Sequence, residues 1–315
     1  MKATREGFGE ALLELGRENP DVVVLSADLT SSTRAHYFMK EFPHRFFNLG
    51  VAEQDMVSTA AGLALMGKIP FACSFGVFAT GKTWEQLRVS VCQMKLNVKI
   101  AGSHGGITVG PDGATHQALE EIVLMRALAH MTVIVPADYL EAKKATKAAC
   151  NYPGPVYLRL GKDNIPIVTN EEEPFEIGKA QVLKDGSDLT IIACGLMVSE
   201  ALKAHDVLEK EGIKARIINL HTIKPIDAKT IISAAKETRA ILTAEEHTII
   251  GGLGSAVSEI VGRNYPVPLD MVGVEDTFGQ SGTPAELLKL YNLTYENLVK
   301  KAKQLLERKR TFLHT

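Results

Sequence analysis

The sequence predicts an α/β protein built from two open, mostly parallel-sheet domains. Three observations carry that prediction. Short apolar runs alternate with helix-spaced patterns along the 315 residues, the rhythm of strands paired in parallel through right-handed helical crossovers. One stretch, NIPIVTNEEEPFEIG (164–178), breaks the rhythm with three consecutive glutamates and two prolines. The alternation then resumes, so the chain divides into a first domain at 1–165, a linker at 166–178 and a second domain at 179–315.

In order, Thr4 is placed to cap a helix running to about Arg17, and DVVVLSAD (21–28) reads as a buried strand followed by a polar loop. A helix at 53–66, a strand IPFACS, a helix at 80–94 and a strand NVKIAGS follow. Another helix is expected from near His116, then a strand MTVIVP, a helix at 138–151 and a strand PVYLRL. Beyond the linker come strands at 188–193, 215–220, 240–244 and 268–274, separated by helices at 197–211, 227–237 and 252–262. Val198, Ala201, Leu202 and Leu208 mark the core face of the first of these helices.

Composition narrows the function classes. Apolar residues make up 45% and charged residues 23%, an ordinary globular profile, and a net charge of −2 offers no bulk field for nucleic acid or a membrane surface. The N-terminal MKATREGFGEALLELG lacks the apolar core of a signal peptide, and no apolar run is long enough to cross a bilayer. Cys73, Cys92, Cys150 and Cys194 lie far apart with neither metal-ligand nor disulfide spacing. Reduced thiols in a cytoplasmic protein are expected.

Two stretches carry chemistry. In NLGVAEQDMVSTAAGLALMG (48–67), Glu53 stands at the mouth of a helix that is apolar or small on nearly every face. The helix dipole alone favours an acid in a first turn by a few tenths to about 1 kcal/mol. A buried carboxylate, however, needs a partner, and no Lys or Arg occurs between Arg45 and Lys68. A ligand nitrogen able to share a proton would serve. Phe75 and Phe78, in a glycine-bearing loop of SFGVFATGKTWEQLR (74–88), offer a platform for a flat ring, unless they are ordinary core residues. The small residues STAAGLA would also let another backbone approach closely, as at a subunit interface. The second stretch, GSHGGITVGPDGATHQALEE (102–121), packs five glycines with His104, Asp112 and His116 at the end of a buried strand. Open parallel sheets place ligands there. No acid or cysteine has the spacing to make these histidines metal ligands, whereas proton transfer and hydroxyl binding suit them, with satisfied surface histidines as the plainer alternative.

GVAEQDM, SFGVFATGKTWEQLR, GSHGGITVGPDGATHQ, TIKPID and TAEEHTIIGGLGSAV together resemble the transketolase family, in order and over essentially the whole chain. The resemblance implies a pyrimidine-binding domain followed by a C-terminal domain, the later part of a full-length transketolase. That family's diphosphate-binding domain carries GDG and a downstream Asn. Here PDG (111–113) and KDG (184–186) do not follow strands in the required way. The implied protein is therefore the second subunit of a split enzyme of the pentose phosphate type. It would use thiamine diphosphate and Mg²⁺, with the metal ligands on an N-terminal partner subunit in an α₂β₂ heterotetramer, and take sugar phosphates as substrates.

By the same resemblance, Glu53 would hydrogen-bond the aminopyrimidine and stabilise its imino tautomer, with Phe75 or Phe78 flanking the ring and Asp28 near the cofactor. His104, His116 and Asp112 would face substrate hydroxyls. Arg5, Ser32 and Lys162 match the positions that hold the substrate's terminal phosphate. Lys162 replaces the family's usual arginine, which loses bidentate recognition, and Arg159 is a candidate to compensate. Gly105 stands where other members carry an acid or cysteine. GGLGSAV (251–257) reads as tight strand–helix packing in preference to an anion cradle, His247 as a possible subunit contact, and the second domain as a support for assembly. Competing readings are a 2-oxo acid dehydrogenase beta subunit, a deoxyxylulose-phosphate synthase-like enzyme and a non-catalytic scaffold homodimer.

Overall fold

A computed structural model describes residues 1–313. Its strands are β1 (Val22–Ser26), β2 (Phe46–Asn48), β3 (Ile69–Phe75), β4 (Lys99–Ser103), β5 (Thr132–Ile134), β6 (Val156–Arg159), β7 (Gln181–Lys184), β8 (Leu189–Ala193), β9 (Ala215–Asn219), β10 (Thr222–Lys224), β11 (Ile241–Thr248) and β12 (Leu269–Val274). One sheet runs in the order β10-β5-β6-β4-β3-β1-β2 and the other β12-β11-β8-β9-β7. Among the described strands, the edge pairings β10 on β5 and β7 on β9 are antiparallel and the rest parallel. Residues of β1, β4, β5, β6 and β8 are buried at every position. Continuous apolar runs such as VVVLS form strands of this kind because helices cover both faces of a parallel sheet.

Segment 166–178 holds no helix or strand. Placing the domain boundary there is our proposal, and β10 qualifies it, since a strand from beyond the boundary completes the first sheet. Among the described residues no helix is long and apolar enough to cross a membrane. All four cysteines are buried and unpaired.

Three local expectations need correction. Thr4 does not cap its helix: Ala3 holds that position, and the Thr4 hydroxyl instead accepts the Gly161 N–H at 2.6 Å. The helix expected at 80–94 is mostly wide-turned, π-helical at Phe78–Lys82 and Leu87–Cys92 around a short α turn at Trp84–Gln86. Thr80 and Thr83 donate back to the Gly76 and Ala79 carbonyls at 2.8 and 2.6 Å, bonds that compete with the regular ladder. The helix expected near His116 begins at Glu121. Before it, Gly113 turns the chain at φ +73° and Ala118 bridges to Gly105, which holds 113–120 out of helical geometry.

Candidate functional site

Glu53 opens the helix Glu53–Leu65 and is 3% exposed. Its carboxylate accepts from Ser74 Oγ at 3.3 Å and from Lys82 Nζ at 3.3 Å, both at the long end of hydrogen bonding. The expectation of no counter-ion is thus corrected: the wide turn brings Lys82 back from 29 residues downstream. The apolar pattern does not bury this helix on every side. Met56, Val57, Ala60 and Ala61 face the core, but Leu65 is 59% and Met66 80% exposed, and a side chain at Gly62 would meet nothing. In the single chain the exposed side of this helix carries Ser58, Gly62 and Leu65 beside Gln54 and Asp55.

The aromatic residues gather above the carboxyl ends of the neighbouring strands β3 and β4. Phe75 is the last residue of β3 and Phe78 the first of the π turn, so neither sits in a simple loop. The His104 ring stacks on Phe75 with centroids 3.8 Å apart, and Phe78 lies at 6.1 Å from Phe75. His116 meets Phe78 edge-on at 5.4 Å. His104 adopts φ +61° at the end of β4, and its Nδ1 lies 2.9 Å from Ser103 Oγ. Burial, with Arg5 and Lys162 nearby, pushes the His104 imidazole down to about 3. A histidine held neutral gives stability above its ordinary value of about 6.5 and loses it as pH falls toward the folded value. Between pH 7 and 5 His104 should therefore cost the chain up to about 2 kcal/mol. Thermal melts of His104→Gln should show a shallower loss over that interval than melts of the parent chain.

Asp112 closes a short 3₁₀ segment, Ile107–Asp112, and pairs with Lys162 Nζ at 2.8 Å. The hydrogen bond from Lys162 holds the Asp112 carboxyl below the usual carboxylate range. Lys162 also donates to the Val109 carbonyl at 2.9 Å. Arg5 Nη1 donates to the Ser32 carbonyl at 2.9 Å, while its Nε is buried without a partner. Burial and then Arg34 lower the Arg5 guanidinium, as expected where cations crowd. Asp28 stands apart from these contacts, tied to Asn48 across β1 and β2: its N–H donates to Asn48 Oδ1 at 3.0 Å, and Asn48 Nδ2 donates to its carboxylate at 3.2 Å.

Arg159 does not join them. It is 5% exposed and bound on both sides, by Glu121 Oε1 at 2.5 Å from its Nε and by the Glu246 carbonyl and carboxylate, at 2.6 and 3.5 Å. The suggestion that it compensates for Lys162 gains no support from this geometry, because Glu121 and Glu246 already engage its Nε, Nη1 and Nη2. Gly105 is explained by the same cluster: an added Cβ would lie 2.9 Å from the Arg159 guanidinium.

The second domain does more than support assembly. Glu246 accepts the Thr108 N–H at 2.8 Å, Gln117 donates to the Gln280 carbonyl at 2.9 Å, and Ser281 donates to the Pro111 carbonyl at 3.1 Å. These bonds brace the histidine loop from behind, and nothing in the sequence pattern signalled them. His247 lies inside this contact, accepting the Ile122 N–H at 3.2 Å, with burial pushing it down to about 3. The helix Leu253–Asn264 receives no external anion at its start, since the Glu245 carboxylate accepts from the Leu253 and Gly254 N–H groups at 2.7 and 2.8 Å. Strand–helix packing is the reading that stands there.

The residues fit an aminopyrimidine. A buried carboxylate with only long hydrogen bonds stands beside two phenylalanine rings, at the strand ends where ligands enter. Comparison with known proteins gives the family. The family model for the transketolase pyrimidine-binding domain matches residues 1–168, and that for the transketolase C-terminal domain matches 178–298. The chain is 50% identical over 303 residues to a putative transketolase C-terminal section of Methanocaldococcus jannaschii, covering 95% of each. It is 41% identical over 305 residues to the 6-deoxy-6-sulfo-D-fructose transketolase subunit of a Clostridium species, covering 97% of this chain and 95% of that one. The solved structure of a split-gene transketolase in an inactive β4 tetramer superposes with a TM-score of 0.92 at 49% identity, over 98% of this chain and 100% of that one. The chain belongs to the transketolase family, as the pyrimidine-binding and C-terminal section of a split transketolase.

Proposed function

We propose that this chain forms the pyrimidine side of a thiamine diphosphate site whose diphosphate and Mg²⁺ side comes from a partner subunit, in a cytoplasmic α₂β₂ assembly. The observation that carries the reading is Glu53, a buried carboxylate held only by two 3.3 Å contacts beside Phe75 and Phe78. The cofactor, when bound, supplies a nucleophilic carbon for transfer of a two-carbon ketol unit. Glu53 would anchor its ring nitrogen and hold the shared proton. His104 and His116 would bind and exchange protons with the sugar hydroxyls, and Asp112 would read one of them. Arg5, Ser32 and Lys162 would hold the terminal anion, with Asp28 near the cofactor.

Sugar phosphates suit this site because the Arg5 N–H is buried without a partner and Arg5, Lys162 and Arg34 all act on His104. The exposed face of helix Glu53–Leu65 suits a partner's backbone. The Clostridium relative is named for a sulfonated sugar, so the terminal anion of the natural substrate is open to assay. Purified under gentle conditions from its own cells, the chain should bring down a stoichiometric companion bearing GDG. The pair should then bind thiamine diphosphate and transfer ketol units between sugar phosphates. A chain that came out as a homo-oligomer, with no companion and no cofactor, would move the scaffold reading to first place.

A further inference from the structure

Lys82 occupies the two points that a flat ring would use. Its Nζ lies 3.3 Å from Glu53 Oε2 and 4.5 Å from the centroid of Phe78, over the ring. A docked heterocycle would put a ring nitrogen on that carboxylate and a face on one of these phenylalanines. We infer that Lys82 is a placeholder for the cofactor's ring, keeping Glu53 paired in the free subunit and leaving when the cofactor docks. The inference rests on the proposed thiamine diphosphate site.

The surroundings favour a movable ammonium over a fixed one. The Glu53 side chain is 2% exposed while that of Lys82 is 50% exposed, so the carboxylate is costly to leave unpaired and the ammonium returns to water cheaply. The Lys82 backbone is anchored, because its carbonyl accepts from Gln54 Nε2 at 3.1 Å, one residue along from Glu53. Thr80 and Thr83, bonded back to the Gly76 and Ala79 carbonyls, hold the wide turn that aims this residue at Phe78. A Cβ added at the neighbouring Gly81 would meet nothing within 4 Å, so the turn is open beside Lys82. Among the hydrogen bonds of Lys82 Nζ in the described residues, only the one to Glu53 is formed. Release would break that bond and the contact with the Phe78 ring, the two points the docked heterocycle would take over.

A competitor of this kind weakens the ligand that displaces it. The complex of this chain with its partner subunit should be titrated with thiamine diphosphate by equilibrium dialysis, and melted with and without it. Lys82→Met and Lys82→Gln should bind the cofactor about two- to fivefold more tightly than the parent, the span of a half-exposed ion pair. They should also melt lower without cofactor and gain a larger upward shift with it. Lys82→Arg, which restores a cation, should return affinity toward the parent value. Equal or weaker binding by both neutral variants would overturn the inference, since a merely structural lysine would stabilise the free and loaded forms alike. A parent complex that bound no thiamine diphosphate would instead overturn the functional reading itself.

Discussion

Glu53→Gln and Glu53→Ala, assembled with the partner subunit, should lose about 10²–10⁴-fold in ketol transfer, the usual worth of a positioned proton-handling group. The fold should barely register the change. The carboxylate's interactions in the free chain are a 3.3 Å contact from Ser74, a 3.3 Å contact from a half-exposed lysine and a place in the first helical turn. A half-exposed ion pair and a helix-dipole position contribute at most about 1 kcal/mol each. The measurement pairs steady-state rates with thermal melts and sizing of the complex. A large rate loss with an intact assembly assigns Glu53 to chemistry. If activity persisted, the cofactor role would be wrong. If the assembly fell apart, the acid would be structural, as the scaffold reading requires.

Much of this site was legible in the sequence because its parts sit at strand ends, where chain order and spatial order coincide. Phe75 and His104 close apolar runs whose strand character is unambiguous, β3 and β4 are adjacent in the sheet, and Glu53 opens a helix whose apolar pattern is equally plain. Lys82 was not legible, because its approach to Glu53 depends on a π-helical turn, and helix patterning reads a 3.6-residue period whether or not the turns widen. β2 and β10 were missed for another reason. Each is three residues long at a sheet edge, too short for a periodic signal, and β10 depends on a partner strand across the linker. The helix Tyr295–Leu313 was passed over because charged residues interrupt its apolar stripe, although Leu298, Ala302 and Leu305 recur at helical spacing in the core. Arg159 illustrates the harder limit. On sequence alone, a guanidinium three residues from Lys162 looks available to a phosphate, and only the burial of Glu121 and Glu246 around it says otherwise.

That cluster yields the largest expected loss of stability. Arg159→Met should cost about 3–5 kcal/mol at neutral pH, the penalty for removing one member of a buried ion pair and stranding the rest. Glu121 and Glu246 come from different domains, and one guanidinium serves both. Burial raises the two carboxyl groups above their usual range even as Arg159 pulls them back, and Glu121 Oε2 is already without a hydrogen-bond partner. Without the arginine their folded pKa values rise further. A group raised in this way gives stability below its unfolded value and loses it as pH climbs through its folded one. The gap between parent and variant should therefore be wide at pH 8 and narrower at pH 5, when measured by urea unfolding of the isolated chain. Adding Glu121→Gln and Glu246→Gln to the variant should recover part of the loss, because a neutral amide leaves no buried charge behind. A gap that did not change with pH would mean that lost packing, and not stranded charge, explains the effect. The same measurement bears on function, because Glu246 also holds the Thr108 N–H, and an added Cβ at Gly106 (φ +84°) would lie 2.1 Å from its carboxyl carbon. Shifting Glu246 therefore shifts the loop that carries Asp112 and His116. An Arg159 variant that stays folded at low temperature should still bind substrate poorly, since the second domain would no longer fix the strand-end loop to which we assign substrate binding.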